Sequence, residues 1–549
     1  MKKKAKVKRV IVLFFFSLFL LLSFSEARVL PVYAVVNCKI FPVSGPPIEK
    51  GVIVIRNGLI ESIGEEGKIV IPEDAEIIEG EGCFAYPGLI DAHGSFFLET
   101  KKEEEPSSER ERLPALSPQE KFKPHPEFQV FKSLKPKKSV LESLHRIGFT
   151  TVLVVPEEEI FAGQSVLLNL NGEEAQAMVV KNPFALHINF VTNRNTYPTS
   201  LMGTMAFLRQ SFLDTEHYAL HSAFFSRHSK GLRRPEYDPF LESLIPFVAE
   251  KKPVVFNCAN LEDIKRALIL IDEFKLNGYI AGANEAWRVV GHLERAKVPL
   301  FISLDYKPPL NSIYATQGEE LREKAEKEIY PENPAILSKK GLRFALCSHT
   351  LKKSEDILKN VQKAIERGLP REEALKAMTI IPARFLGVDN LLGSLEQGKI
   401  ANIIFTSGEI FKEGTRVKRV FVDGLSFEVK EPPKAEAPAL FNISGRWLAK
   451  ITSPMGDMEM TLEIEQEGNS ILGKILSEFG QWEITDGLIT GKELSFTISA
   501  MIMGETVELT FKGEAEMDSL VGTFSFMGIT AAMRATRIPG ENFKRGGIR

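Results

Sequence analysis

The chain has 549 residues, carries a formal net charge of −3 at pH 7, and is 44% hydrophobic. A chain of this length is typical of about three domains, and its apolar content is sufficient for large cores. No domain is strongly basic, which excludes nucleic acid as an expected partner. The four cysteines, Cys38, Cys83, Cys258 and Cys347, are far apart and form no CxxC pair. This argues against a disulfide scaffold and against a cysteine zinc site.

The N-terminus has the three-part pattern of a secretory signal peptide. Six basic residues lie among the first nine, the apolar run "VIVLFFFSLFLLLSFS" follows, and Ser25-Glu26-Ala27 ends the pattern. The run is shorter than the roughly 20 residues of a typical membrane span. We therefore predict that residues 1–27 are cleaved after Ala27 and that the protein is exported, either to the periplasm or by secretion. An uncleaved segment would instead anchor the protein to the membrane.

Two β-rich segments flank the middle of the chain. In residues 28–86, Asn57-Gly58 separates two β-rich runs and predicts a hairpin. Residues 392–427 contain a few further strands, too few for a core of their own. We therefore predict that the two segments form the first and second parts of one composite β-sandwich.

Residues 87–391 alternate between apolar strands and amphipathic helices. For example, "KSVLESLHRIG" predicts a helix that ends at Gly148, and "FTTVLVVP" predicts the buried strand after it. About eight strands separated mostly by helices predict an α/β fold, a (β/α)8 TIM barrel, with functional groups at the C-terminal ends of the strands. The charged, proline-rich stretch between residues 99 and 138 follows the first strand. It predicts a mobile loop, with a lid over the barrel mouth as the alternative.

The end of the chain is predicted to be a separate all-β domain. Residues 428–439 are a Pro- and charge-rich linker, and residues 440–540 contain about eight short antiparallel strands, typical of a small barrel or sandwich. Trp447 in "SGRWLAKI" resembles the tryptophan that opens many lipocalin-like barrels. Eight of the thirteen methionines fall here and suit a filled core or an adaptable apolar pocket. A lipid and a protein are the candidate partners of this domain.

Two stretches resemble a known enzyme family. "YPGLIDAH" (86–93) and "REEALKAMTIIPARFLGVDNLLGSLEQGKIANIIFTSG" (371–408) resemble the amidohydrolase superfamily, nearest to its imidazolonepropionase-like branch, and the similarity covers roughly residues 30–425. The resemblance implies one or two divalent metals bound by histidines at the ends of strands one, five and six, an aspartate after strand eight and, in two-metal members, a carboxylated lysine on strand four. The metal would activate water to hydrolyse amide, lactam or related C–N bonds.

Carried over position by position, the resemblance gives an incomplete metal site. On strand one the first histidine is His93, but the second position is Ser95. The strand-five position is Asn257, the strand-six position is Gly282, and the aspartate position after strand eight is His349. Zinc sites need about three protein ligands, and only His93 is unchanged. We therefore predict no cofactor, with His93 and His349 as candidate catalytic residues and all five as candidates for lining a binding pocket.

Three further residues bear on this site. Lys181 is near the strand-four lysine position but is predicted to begin that strand. Cys258 adjoins Asn257 and could complete a site with His93 and His349, but strand alternation directs its side chain the other way. Asn402 stands where the family's "GK-ADLVV" segment has an acid that is not a ligand.

A histidine-rich stretch lies outside these motifs. His217 and His221 are four residues apart on one predicted helical face, and His228 is two turns further on. This spacing can hold zinc, but no carboxylate occupies the HExxH position. We therefore expect a surface or packed helix.

Three functions are consistent with these patterns. The first is an exported amidohydrolase-like protein whose barrel has lost most metal ligands, is non-catalytic and binds a small molecule. The alternative is a metal-dependent hydrolase that uses zinc or another divalent metal, in a rebuilt site, on non-peptide C–N bonds of amides or lactams. The third is an interaction protein that acts through its C-terminal domain.

Overall fold

The computed structural model describes residues 30–98, 125–157, 159–172, 174–193, 197–306, 329–351, 356–429, 437–453, 456–477, 480–502, 505–526 and 529–538. The expected signal peptide and most of the charged insertion lie outside these ranges. The chain divides into two compact units, Met1–Val429 and Lys430–Arg549. Among the described segments, no helix combines the length and the apolar character needed to span a bilayer.

The first unit contains eighteen strands and ten α-helices within the described ranges. The strands are β1 Val32–Ile40, β2 Ile48–Arg56, β3 Leu59–Glu65, β4 Ala75–Glu79, β5 Phe84–Pro87, β6 Leu89–Gly94, β7 Phe149–Val154, β8 Phe161–Gln164, β9 Val166–Asn169, β10 Val179–Lys181, β11 Leu186–Asn189, β12 Val254–Cys258, β13 Gly278–Gly282, β14 Leu300–Ser303, β15 Phe344–Cys347, β16 Ile403–Thr406, β17 Val417–Val422 and β18 Leu425–Glu428. The helices are α1 Lys138–Ile147, α2 Ala175–Met178, α3 Leu201–Arg227, α4 Pro239–Val248, α5 Leu261–Phe274, α6 Val290–Ala296, α7 Asn333–Lys339, α8 Asp356–Glu366, α9 Arg371–Ala377 and α10 Ile380–Leu386.

Strands from both ends of this unit share one sheet. Its order is β18-β17-β16-β5-β1-β2-β3, and β4 also pairs with β1. The two ends meet at β5, which pairs in parallel with β1 and antiparallel with β16. Asn57 and Gly58 connect β2 to β3, and both have the positive φ angles that a type I′ hairpin turn requires. Both predicted parts of the sandwich therefore contribute to this single eight-stranded sheet.

The middle of the unit is barrel-like, but its strands are not all parallel. β6 and β7 run parallel, and β11, β12, β13, β14 and β15 form a second parallel row. Between them, β9 pairs antiparallel with β7, and β8 pairs antiparallel with β11. Only residues 155–160 connect β7 to β8, whereas a parallel return needs about a dozen residues or more. The predicted (β/α)8 pattern is therefore wrong at its third strand position.

Alternation along the strands separates an outer layer from an inner one. In β12, Val254, Phe256 and Cys258 pack in the same cluster as residues of α1, α3 and α5. Val255 instead packs in a cluster to which β6, β7, β9, β13, β14 and β15 all contribute, which places that cluster inside the ring of strands. Cys258 therefore faces the helices, as alternation predicted, and cannot share a metal with inward-facing residues.

A buried polar cluster, called the seam here, joins the eight-stranded sheet to the barrel-like domain. Asn402 donates from Nδ2 to Thr151 Oγ1 (3.2 Å) and Asn169 Oδ1 (3.0 Å), and accepts at Oδ1 from the backbone N–H of Asp423 (2.8 Å). Asn169 and Asn171 donate to the two carboxylate oxygens of Asp423, at 2.6 and 2.9 Å. The amide of Asn402 therefore supplies two donors that an acid at this position could not.

The second unit is a closed antiparallel barrel, which confirms the closed-barrel form of the C-terminal prediction. β19 pairs with both β20 and β26 and so closes the ring. Trp447 is fully buried, and its Nε1–H donates to Ile443 O at 3.0 Å. The guanidinium carbon of Arg537 lies over the indole ring, 4.7 Å from the ring centroid. The strands are β19 Gly445–Ser453, β20 Gly456–Glu467, β21 Ser470–Ser477, β22 Gly480–Thr490, β23 Glu493–Ile502, β24 Glu505–Ala515, β25 Ser519–Phe526 and β26 Ile529–Arg537.

Candidate functional site

Three histidines from distant parts of the sequence meet inside the barrel-like domain. His93 lies near the end of β6, His187 lies in β11, and His349 follows β15. The ring centroid of His93 is 5.4 Å from that of His187 and 4.4 Å from that of His349. His93 and His187 are fully buried, whereas His349 is partly exposed. With Asn189 and Asn257, these three residues are called the mouth cluster below.

The two asparagines of the mouth cluster fix the orientation of His93. Asn189 donates from Nδ2 to the carbonyl oxygens of Glu157 (3.0 Å) and Glu159 (2.7 Å), so its Oδ1 must face Asn257. Asn257 donates to that oxygen from Nδ2 (2.6 Å) and turns its own Oδ1 toward His93 Nε2 at 2.8 Å. Since an amide oxygen only accepts, Nε2 of His93 carries the proton.

This chain of hydrogen bonds leaves a lone pair on His93 Nδ1, which has no hydrogen-bond partner among the residues that the structure describes. Both ring nitrogens of His187 and Nδ1 of His349 are also buried, and no described residue forms a hydrogen bond with them. Asn284 Oδ1 and Trp287 Nε1, which follow β13, are in the same condition. Buried polar atoms normally have a partner, so their concentration after the barrel strands indicates a place for a polar ligand.

The imidazoles of the mouth cluster are held in their neutral form. Burial lowers the pKa of His187 to about 3 and that of His349 to about 4, and the neighbouring His349 lowers the pKa of His187 further. Burial, His349 and His187 also hold the pKa of His93 well below its usual value, against the opposing effect of the hydrogen bond that His93 donates to Asn257. At pH 7 each ring therefore offers a lone pair and no charge.

Asp91 lies beside the mouth cluster but does not contact a histidine ring. Its Oδ1 accepts from the backbone N–H groups of His93 and Ser348, both at 3.1 Å, and its Oδ2 has no partner. Burial raises the pKa of the Asp91 carboxyl, although both backbone hydrogen bonds oppose the shift. These contacts connect β6 to the end of β15 and hold His93 next to His349.

The structure brings three of the five sequence-predicted residues together. His93, Asn257 and His349 belong to the mouth cluster, whereas Ser95 is exposed. Gly282 is in register with Cys258, one residue away from the inward-facing pair Asn257 and Ala281. Its φ is +86°, and a Cβ there would lie 2.5 Å from Cys258 O. A side chain at position 282 would therefore meet the neighbouring strand, which explains why only glycine fits there.

Sequence analysis missed His187 and Asn189. The strand-four position was sought at a lysine, but Lys181 lies in β10, where its amine donates to Leu386 O at the end of α10 (2.9 Å). The signal that could have found the missed residues is the alternation in "LHIN". Leu186 and Ile188 face the outer layer, so His187 and Asn189 must face inward.

Comparisons with known proteins agree with this fold. A model described as the amidohydrolase family matches residues 278–427. The structure also aligns with the crystal structure of an amidohydrolase from Thermotoga maritima MSB8, with a TM-score of 0.60 and 25% sequence identity, covering 72% of this chain and 100% of that chain. The family match and the similar fold together support membership of the amidohydrolase superfamily.

Two further similarities are weaker. Adenine deaminase 1 from Desulfotalea psychrophila is 31% identical over 114 residues, which is 20% of this chain. The chain thus matches only 19% of the length of that relative. A putative prolidase from Bifidobacterium longum aligns at 15% identity with a TM-score of 0.46, covering 73% of this chain and 95% of that one. Assignment to the imidazolonepropionase-like branch stays a prediction.

Amidohydrolases imply a divalent metal, and the donors of this chain do not fit one as they are placed. Within the part of the chain that the structure describes, no three His, Cys, Asp or Glu side chains are arranged to hold a metal ion. His93 Nε2 is already hydrogen-bonded to Asn257, and the bonded oxygen of Asp91 faces backbone amides.

Proposed function

We propose that the barrel-like domain of this amidohydrolase-superfamily protein is a non-catalytic binding pocket for a small neutral molecule. The observation that carries the proposal is the set of buried imidazole nitrogens without partners at His93, His187 and His349. Each unpartnered buried polar group costs about 1–3 kcal/mol. A ligand that supplies the missing partners recovers that free energy as binding affinity.

The geometry also limits the chemistry of the ligand. His93 Nδ1 can only accept a hydrogen bond, because the proton of this ring is on Nε2. His187 offers one donor and one acceptor, since a neutral imidazole has one of each. Neutral rings do not attract an anion. The pocket therefore suits a neutral, planar molecule that has both N–H donors and acceptors, such as a lactam or an N-heterocycle.

Two observations count against hydrolysis in this pocket. Metal-free hydrolysis needs a nucleophile hydrogen-bonded to a base. The nearest hydroxyls instead bond to backbone oxygens: Ser348 Oγ to His93 O (3.5 Å) and Ser303 Oγ to His349 O (2.5 Å). Neither hydroxyl is positioned to transfer its proton to an imidazole nitrogen.

One observation favours a second candidate function. His187 raises the number of imidazoles to three, which is the number of protein ligands in many catalytic zinc sites. A rearrangement that frees His93 from Asn257 would give a metal-dependent hydrolase of non-peptide C–N bonds. Elemental analysis of the purified protein separates the two functions. Binding alone predicts no stoichiometric zinc, iron or manganese, whereas one equivalent that is lost in His187→Leu supports the hydrolase.

The binding proposal is tested by thermal shift with adenine, 2-pyrrolidinone and imidazole as probes. Adenine is included because the matched segment of an adenine deaminase is 31% identical. At least one probe should raise the melting temperature of the native protein and not that of His187→Leu. His217→Leu is the matched control, because His217 is exposed on α3. An equal shift in both variants, or none with any probe, contradicts the proposal.

We further propose that the protein is exported and that its C-terminal barrel binds a lipid or a protein. The N-terminal sequence pattern supports export, and the independent β-barrel unit supports a separate binding role. Fractionation of the native host, with N-terminal sequencing of the mature protein, tests export and cleavage after Ala27. Recovery of an unprocessed chain from the cytoplasm contradicts it.

A further inference from the structure

The C-terminal half of α3 projects away from the protein core. The buried residues of the helix end at Thr215, and none of residues 216–227 is buried. The buried face consists of Thr204, Leu208, Ser211, Phe212 and Thr215. A 27-residue helix is about 40 Å long, so nearly half of this length lies on the surface.

The face of α3 opposite its buried side is apolar. At 100° per residue, Met202, Leu213, Leu220 and Phe224 fall within about 20° of one line along the helix. Their exposed fractions are 83%, 52%, 73% and 55%. These four residues are called the α3 stripe. Exposed apolar residues aligned along one face of a helix in this way are typical of an interaction surface.

The α3 stripe continues into a basic segment. Arg227, Lys230, Arg233 and Arg234 are all exposed, and none forms an ion pair with a residue that the structure describes. Among residues 227–237 the single acidic residue is Glu236. Leu232 and Tyr237, at 41% and 67% exposure, add apolar area to the same segment.

We propose that the α3 stripe and this basic segment bind the surface of an anionic lipid bilayer. An interfacial helix buries apolar side chains at the headgroup boundary while Lys and Arg contact anionic lipids. Each basic residue near such a surface adds to the attraction. The proposal is independent of the mouth cluster and of the N-terminal apolar run.

Charge favours lipid over a second copy of the chain as the occupant. Within about 40° of the centre line of the α3 stripe, the helix carries Arg209 and Arg227 but no carboxylate. Arg209 is paired with Glu273 of α5 at 2.7 Å, so Arg227 is the basic residue that this face contributes. A second copy would present the same apolar and basic groups, and its segment 227–237 would offer one carboxylate, Glu236, against four basic residues. Anionic headgroups supply that charge along the whole segment.

Vesicle co-sedimentation of the purified full chain tests the proposal. Binding to phosphatidylcholine mixed with phosphatidylglycerol should exceed binding to phosphatidylcholine alone by more than about tenfold, because four basic residues contribute. Leu220→Ser/Phe224→Ser should abolish the binding, and Arg233→Gln/Arg234→Gln should weaken it about thirtyfold on the mixed vesicles. Added salt should reproduce the second effect by screening.

Matched controls isolate the α3 stripe from other membrane contacts. Val70→Ser/Ile77→Ser removes two exposed apolar side chains elsewhere, and Lys340→Gln/Lys412→Gln removes two exposed charges elsewhere. All variants share one N-terminus, so a difference between them reports the substituted surface. Equal binding by every variant would assign membrane contact to another segment and overturn the proposal. A native dimer that Leu220→Ser/Phe224→Ser converts to monomer would also overturn it, in favour of a second copy.

Discussion

The seam and the mouth cluster are both buried, polar and in the same unit, yet their hydrogen bonding is opposite. In the seam, Asn169 and Asn402 use their amide donors and their acceptors, and both oxygens of Asp423 accept. In the mouth cluster, His93 has one unpartnered nitrogen and His187 has two. Burial therefore does not by itself reveal what a polar cluster does.

The difference indicates whether each cluster stabilises the folded chain or favours the binding of a ligand. A satisfied buried network contributes to the folded chain and specifies how its parts pack. An unsatisfied one subtracts from stability until something outside the chain supplies the missing partners. Substitutions should therefore destabilise the protein at the seam but not at the unpartnered imidazole of His187, and ligand binding should respond only to substitutions in the mouth cluster.

The largest effect is expected from Asn402→Asp in the seam. The new carboxylate cannot donate to Thr151 or Asn169, and it places a second buried charge near Asp423. We expect the free energy of unfolding to fall by about 3–5 kcal/mol, as for other uncompensated buried charges. Urea denaturation of the first unit measures the loss. Asn390→Asp, at an exposed position, should change stability by less than about 0.5 kcal/mol, and equal losses would refute the seam's role.

Acid should destabilise the mouth cluster. The pKa of His187 is about 3 in the folded protein and about 6.5 when unfolded. Between these values the unfolded state binds more protons, so stability is greatest above about pH 6.5 and is lost as the pH falls through this window. The loss is about 1.4 kcal/mol per pH unit for one histidine. In His187→Leu, urea denaturation between pH 6 and pH 4 should show a slope shallower by that amount. An unchanged slope would contradict the buried neutral state.

Sequence patterns identified the scaffold better than the site. The motifs around His93 and in 371–408 indicated the family because both are long local patterns with fixed spacing. The reversal of β8 and β9 was not predicted, since a strand's apolar pattern carries no direction. Gly282 was expected to line the pocket, but a one-residue offset along a strand turns a residue to the opposite face of the sheet. His187 was missed because its role depends on contacts with residues far away in sequence.

His187→Leu is expected to raise stability slightly. Leucine removes two unpartnered nitrogens and keeps most of the buried volume, so we expect a gain of about 1 kcal/mol in the ligand-free protein. His145→Leu is the matched control, because His145 is also buried but donates from Nε2 to Leu170 O at 2.8 Å. It should lose about 1–2 kcal/mol, since that carbonyl becomes unpartnered. Urea midpoints at pH 7.5 compare the two, and a loss of stability in both would mean that His187 has protein partners.

The smallest effect is expected in the protonation of one imidazole ring, that of His93. Asn257→Asp replaces the amide oxygen that faces His93 Nε2 by a charged acceptor, which favours the imidazolium and should raise the pKa of His93 toward or above its ordinary value. Nitrogen NMR of the imidazole rings should show His93 neutral with its proton on Nε2 at pH 7 in the native protein, and a larger doubly protonated fraction in the variant. The ring of His125, exposed beside Glu127, serves as the reference, and its nitrogen chemical shifts at pH 7 should not differ between the two proteins. A native His93 protonated on Nδ1 would mean that the chain of amides runs in the opposite sense, and the pocket would then favour ligands that accept rather than donate at this position.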